Sequence, residues 1–213
     1  MTTLDQYNLL FLISAFLLML CKLIQPKRFS EFLRLTGNGT YNQIHKRSGL
    51  FVIQKFDLLL FFQFILAGST FLSLYQKEQG TVSEIPLSVI YFYISILLVY
   101  FPLKRLLELG TGRWLKIEHQ MSSFVFQKMN SLHFFGLWLL LINMLTVYSF
   151  GPRIWMVYFT LFLGVIILFL GFVTTFFRFR FLIRRQWLLF ILYICAFEIA
   201  PLAVLWKFVN NVL

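Results

Sequence analysis

The sequence predicts an all-α membrane protein with six transmembrane helices, arranged as three hairpins that each enter from outside and turn in the cytoplasm. Of its 213 residues, 60% are hydrophobic and 13% are charged, whereas a soluble domain is about half apolar and a quarter charged. The apolar residues form runs of roughly 20, the length that crosses a bilayer as a helix. The basic residues lie almost entirely in alternate loops.

The apolar runs define the spans in chain order. The first run stops before Pro26, which cannot continue a helix. In the basic loop that follows, Phe29 and Phe32 alternate with charges in a pattern that predicts a short helix at the membrane surface. The loops leave no room for a soluble domain, so residues 1–213 form a single transmembrane domain. The predicted spans are about 7–24, 56–75, 86–103, 131–150, 154–177 and 187–206.

The positions of Lys and Arg predict the orientation. Sixteen of the 19 fall between spans 1 and 2, 3 and 4, or 5 and 6, with Lys22 at the end of span 1 counted in the first loop, and the other side holds only Lys77, Arg153 and Lys207. Basic loops remain in the cytoplasm, so both termini are expected in the periplasm. The net charge of +11 therefore reflects membrane topology and contact with lipids, including anionic headgroups, and we expect no nucleic-acid partner.

A stretch of 26 residues occurs twice, at 37–62 and at 110–135. Ten positions are identical at the constant offset of 73 residues. Such self-similarity indicates duplication of one structural unit. Spans 1–2 and 3–4 are thus predicted to be a parallel tandem repeat, in which a loop leads into a helix, related about an axis along the membrane normal. Spans 5–6 are a degenerate third copy.

Polar residues recur at the predicted cytoplasmic starts of spans 2, 4 and 6. One interpretation is structural, because an acid or amide favours a helix N-terminus and lysine reaches the headgroups. The other is that equivalent positions bind a partner or an anionic headgroup. The residues are Gln54, Lys55, Asp57, Gln127, Lys128, Asn130, Arg184 and Arg185.

Both repeated loops begin with a Gly-x-Gly motif. Glycines can expose backbone N–H groups to a phosphate, but they also simply form turns. Because the motif occurs twice beside basic residues, we keep an anion or headgroup site as a hypothesis. Its residues are Gly37, Gly39, Arg34, Gly110, Gly112 and Arg113.

Glu198 is the one acid well inside a predicted span. Burying a charge at that depth costs roughly 3 kcal/mol or more, so such acids usually face a partner or a cavity. Asn143 lies at a similar predicted depth and is the expected partner. The alternative is a protonated Glu198 that forms a hydrogen bond within the bundle.

The sequence offers little for catalysis or metal binding. His45 and His119 lie in predicted loops and His133 at a span end, so no two histidines match in depth as ligands of a haem or metal. The residues assemble no nucleophile–base set or carboxylate pair. We expect no catalytic site, no metal and no cofactor.

The run from Leu192 to Leu202 contains Cys195, Glu198 and Pro201 in a Cys-x-x-Glu-x-x-Pro pattern. With the basic aromatic loops before it, this run resembles a Bacteroidota family of short polytopic inner-membrane proteins known only as a domain of unknown function. The resemblance implies a bacterial cytoplasmic membrane and a role for Glu198, and it supplies no activity.

Two functions are consistent with these patterns. The first is a non-catalytic inner-membrane subunit or scaffold that docks another membrane or cytoplasmic subunit through its basic cytoplasmic face in a cell-envelope process. The second is a small transporter or membrane component that handles lipid-linked (polyprenyl-phosphate) substrates. A metal-assisted lipid enzyme would need clustered cytoplasmic acids, and the acids here are isolated.

The predicted orientation can be tested by cysteine labelling. Single cysteines at Asn38 and Gln186 should be protected from an impermeant thiol reagent in intact cells, whereas one at Gln79 should react. Permeabilised cells, in which all three should react, provide the control. Labelling of the Asn38 cysteine in intact cells would contradict the predicted orientation.

Overall fold

The computed structural model describes residues 3–33, 55–78, 87–114, 118–150 and 154–185, together with Lys207. Apart from Gln25, these residues are helical, with no strand among them. The helices are α1 (Thr3–Ile24), α2 (Pro26–Leu33), α3 (Lys55–Glu78), α4 (Leu87–Trp114), α5 (Glu118–Leu145) and α6 (Ile154–Arg185). A π-helical turn, Thr146–Phe150, follows α5.

Four helices within the described ranges are long and apolar enough to cross a membrane. They are Leu4–Ile24, Lys55–Glu78, Leu87–Trp114 and Phe124–Ser149, and α6 contains a shorter apolar stretch, Trp155–Gly171. The expectation of an all-helical membrane protein is therefore confirmed at this level. The predicted sixth span, 187–206, lies outside the described residues.

Helix α3 is central to the bundle and packs against α1, α4 and α5. It runs antiparallel to α1, since the hydroxyls of Tyr7 and Ser73 lie 3.4 Å apart near one end and the Cys21 thiol lies 4.0 Å from the Phe56 carbonyl near the other. Helix α4 is also antiparallel to α3, because the Tyr93 hydroxyl donates to Gln76 at 3.1 Å and, farther along both helices, the Phe101 and Phe64 rings lie 5.0 Å apart.

Helices α3 and α5 lie parallel and are joined by two buried hydrogen bonds. The Gln63 amide donates to the Gly136 carbonyl at 3.0 Å, and the Asn143 amide donates to the Ala67 carbonyl at 2.8 Å. All four residues are buried. Because lipid tails are as apolar as leucine, such bonds and close packing, rather than the hydrophobic effect, hold membrane helices together.

Small residues let the helices of the bundle approach closely. A Cβ on Gly136 would lie 3.1 Å from the Cα of Phe64, and one on Gly164 would lie 2.7 Å from the Phe135 ring. A Cβ on Gly171 of α6 would overlap the Ser131 side chain. Gly164 thus faces Phe135, and Gly171, later in α6, faces Ser131, earlier in α5. Helix α6 is therefore antiparallel to α5.

Several helices are longer than the sequence predicts. Helix α4 continues to Trp114, α5 begins at Glu118 and α6 continues to Arg185. Pro102 lies inside α4 instead of ending it. Transmembrane helices tolerate proline because their neighbours and local adjustments satisfy the freed backbone groups. The short helix expected after Pro26 is present as α2.

The close contact of α3 and α5 predicts opposite effects for two glycine substitutions. Gly136→Ala should lower the free energy of unfolding in detergent by about 1–2 kcal/mol, because α3 must shift to admit the methyl group. The matched control is Gly110→Ala, where nothing lies within 4 Å of the new Cβ. This change should raise the free energy of unfolding, by up to about 1 kcal/mol, because alanine favours the helix. Equal effects in reversible unfolding would contradict the packing.

Candidate functional site

One end of the bundle, where α1 ends and α3 begins, carries most of the described basic residues, and we call it the basic end. It holds two interhelical ion pairs. The first joins Arg28 of α2 to Asp57 in the first turn of α3 at 2.5 Å. The Arg28 side chain is only 4% exposed, and its guanidinium also lies 4.6 Å above the Phe56 ring. Pro26 at the first position of α2 favours this helix start, which brings Arg28 back against α3.

The second ion pair joins Lys128 of α5 to Glu108 of α4. The Glu108 side chain is 3% exposed, so this carboxylate is buried, whereas Lys128 is half-buried. Both pairs place an acid on the inside of the basic end. Removing one partner from a pair of this kind leaves an uncompensated buried charge, which is strongly destabilising.

Arg105 lies within electrostatic range of both acids, Asp57 and Glu108. It is half-buried, and within the described helices it forms no direct hydrogen bond or ion pair. Arg28 and Lys128 each have their own carboxylate. Among the described residues, these three cations lie near two carboxylates, and Arg105 is the one of the three without a direct carboxylate contact.

His133 of α5 is 2% exposed and lies within electrostatic range of Arg105. Neither of its ring nitrogens has a hydrogen-bond partner in the described part of the chain. An unsatisfied buried polar group costs about 1–3 kcal/mol. In a native protein this cost calls for an explanation, and a site for a ligand is one.

A cavity of about 390 Å³ connects these groups. Its sides are formed by α3 and α4 and its floor by Met129 and His133 of α5. The polar groups Asp57, Arg105 and His133 lie towards the basic end, and most of the remaining lining is leucine and phenylalanine. We call this space the Arg105 cavity. Its volume is within the range of ligand sites, about 300–1,000 Å³.

The Arg105 cavity is open to the side of the bundle. Phe62 of α3 and Leu98 of α4 both line it, yet 39% and 41% of their surfaces are exposed. In a membrane these two helices would present the opening to lipid. The cavity can therefore take an amphiphile with an anionic group beside Arg105. Among the described residues no group of three or more His, Cys, Asp or Glu is placed to hold a metal ion.

The structure brings together only part of the predicted polar rim. Asp57 and Lys128 lie at the basic end, but in separate ion pairs. Lys55 is exposed at the start of α3, whereas Gln127 and Asn130 are buried inside α5. Since α5 begins at Glu118, the expectation that Asn130 sits in a first helical turn is wrong.

The second Gly-x-Gly motif does not form the expected loop. Gly110 and Gly112 are helical residues of α4, and Arg113 is exposed in its last turn. Amides inside an α-helix bind the carbonyl four residues earlier. The backbone nest expected for a phosphate at these residues is therefore absent.

Other predicted site residues fall elsewhere or outside the described ranges. Asn143 binds the Ala67 carbonyl, as given above. Arg184 and Arg185 end α6. Glu198, the expected partner of Asn143, lies outside the described residues, as do Arg34, Gly37, Gly39 and Gln54.

Sequence reasoning missed the residues that form the site: Arg28, Arg105, Glu108 and His133. One signal was available, because the chain has only eight acids and a carboxylate in a membrane helix needs a partner. Which cation pairs with Asp57 depends on how α2 packs against α3, and the sequence does not reveal that packing.

The Arg28–Asp57 pair predicts a non-additive mutant cycle. Asp57→Asn alone should lower the free energy of unfolding by about 3 kcal/mol, because Arg28 is left charged and buried. The double variant Arg28→Gln/Asp57→Asn should lose less than the sum of the single changes, as reversible unfolding in detergent would measure. Exposed Lys27→Gln, one residue away, is the control and should change little. Additive single effects would exclude the ion pair.

Comparison with known proteins identifies a family whose description states no function. A family model described as "Domain of unknown function (DUF4271)" matches residues 7–209, nearly the whole chain. No curated protein and no solved structure matches it. On the extent of the family match, the chain belongs to the DUF4271 family.

Proposed function

We propose that this protein is a non-catalytic polytopic subunit of a bacterial inner membrane, which docks another protein subunit through its basic cytoplasmic face in a cell-envelope process. The partner would present an acidic surface. Opposite charges across an interface speed association and determine which partners are accepted.

The supporting observation is the sorting of charge at the basic end. Glu108 is buried and Asp57 is half-buried, and each pairs with one partly or fully buried cation. By contrast Lys22, Lys27 and Lys55 are exposed. The described surface at this end is therefore dominated by cations, while the acids stabilise the bundle from inside.

The full topology is part of the proposal. Six spans would form three hairpins, with both termini in the periplasm. Support comes from the alternating directions of α1, α3, α4, α5 and α6, which bring the Lys22, Lys55 and Lys104 regions to one end. Lys77, at the other end of α3, lies on the side expected to face the periplasm.

A tandem repeat of spans 1–2 and 3–4 is also proposed. In its favour, α3 and α5 are parallel, and Gln63 donates its hydrogen bond to Gly136, the residue 73 positions later. Equivalent positions of two repeats meet in this way near their common axis. Against a close match, Lys55 begins α3 whereas Lys128 lies well inside α5.

The second candidate function, the handling of lipid-linked phosphate by a small transporter or a membrane component of polyprenyl-phosphate chemistry, is favoured by one feature. The Arg105 cavity combines a cation that has no direct carboxylate contact among the described residues with apolar walls that open towards lipid. Anionic lipids suit such a site.

The docking proposal predicts a charge-dependent partner. Tagged protein purified gently from its native membrane should retain a protein partner. Replacing Lys22, Lys27 and Lys55 together by Gln should reduce its recovery by about tenfold, since each exposed interfacial charge contributes modestly. Lys77→Gln, which removes a charge at the opposite end, should leave recovery unchanged.

Raising the salt concentration should weaken the wild-type complex in the same way. Equal recovery of the partner by the triple variant and by Lys77→Gln would refute docking through the basic face. Recovery of no protein partner at all would refute the proposed subunit role.

A further inference from the structure

We infer that the Arg105 cavity is a binding site for one membrane phospholipid, with its phosphodiester beside Arg105 and one acyl chain along the apolar walls. The inference goes beyond the docking proposal and does not depend on it. It concerns the lining of the cavity between α3 and α4, not the exposed lysines of the basic end.

The first step concerns charge. Within the described part of the chain, Arg28 and Lys128 are each in contact with a carboxylate, whereas Arg105 lines the cavity without such a contact and adds a third positive charge near the two acids. A phosphodiester carries one negative charge and would balance it. Arginine suits this role because its planar guanidinium can bind two phosphate oxygens at once.

The second step concerns His133. Its nitrogens lie in the interior without hydrogen-bond partners in the described part of the chain, although the residue lines the cavity. A protonated ring nitrogen can donate to a phosphate or ester oxygen. A bound headgroup would thus accept a hydrogen bond from the His133 N–H, one of the two ring nitrogens that the described protein residues leave without a partner.

The third step concerns shape. Asp57 and Arg105 lie in the half of the cavity nearer the basic end, and Leu98 lies seven residues before Arg105 on the same helix. At 1.5 Å per residue these positions are about 10 Å apart along α4. The apolar walls therefore continue from the headgroup level into the bilayer, where an acyl chain lies. The exposed edges at Phe62 and Leu98 give the lipid lateral access.

Charge also selects among lipids. A polyprenyl pyrophosphate has more negative charge than Arg105 can balance, and the excess would lie beside the carboxylates Asp57 and Glu108. Like charges at short range in a poorly hydrated site are strongly disfavoured. The site is therefore matched to a phosphodiester rather than to a pyrophosphate.

The test is native mass spectrometry of the purified full-length protein in detergent, titrated with phosphatidylglycerol. Wild-type protein should retain one tightly bound lipid. Arg105→Gln should weaken this binding by at least about tenfold, the effect expected when a charge-assisted hydrogen bond is lost. The control is Lys104→Gln, which removes the neighbouring charge; Lys104 does not line the cavity, and this variant should bind as wild type does.

A second pair of variants leaves every charge in place. Leu98→Trp should fill the apolar part of the cavity and weaken binding, whereas Val99→Trp, at a residue that is 61% exposed and outside the lining, should not. If Arg105→Gln fails to fold, this pair of variants still tests whether the lipid binds in the cavity.

The outcomes separate the alternatives. Selective loss of binding in Arg105→Gln and Leu98→Trp, with both controls intact, supports the site. Equal binding by all variants means non-specific lipid around the bundle and overturns it. Tighter binding of undecaprenyl pyrophosphate than of phosphatidylglycerol also overturns the assignment and favours the lipid-linked substrate function. Loss of partner recovery in the triple lysine variant with lipid binding unchanged leaves the site standing.

Discussion

The structure depends most on the contact between α3 and α5. Two parallel helices approach until the Gly136 carbonyl accepts a hydrogen bond from Gln63, and Asn143 binds the Ala67 carbonyl in return. In a bilayer the hydrophobic effect gives little net attraction between helices, so packing and polar contacts determine which helices associate. The other described spans are arranged around this pair: α1 and α4 pack on α3, and α4 and α6 pack on α5.

The same constraint explains the basic end. A charge that enters a helix near the bilayer must be paired, and Arg28 and Lys128 are paired with acids from neighbouring helices. The first pair holds α2 against the start of α3, and the second holds α4 against α5. Arg105 is the exception, since it shares those acids without a direct partner in the described structure. The paired charges stabilise the contacts between helices. For Arg105, which lines the cavity, we propose a role in ligand binding instead.

The two proposals use different groups of this end. Docking uses the exposed lysines, which a partner can reach without disturbing the bundle. Lipid binding uses the Arg105 cavity, which is reached from the side. A bound lipid would add a further contact between α3 and α4 and would stabilise the end that carries the exposed lysines.

The sequence by itself determined the membrane class and the described helical spans, because apolar runs of bilayer length leave the backbone few alternatives. It also located the short helix after Pro26. It misjudged where helices end, since basic loop-like residues such as those around Gly110 can continue a helix beyond the bilayer. Only the tertiary structure decided that Asp57 pairs with Arg28, 29 residues earlier, and that Arg105 and His133 share a cavity. Those contacts depend on helix rotation and crossing, which are determined by interhelical packing rather than by hydropathy or charge counts.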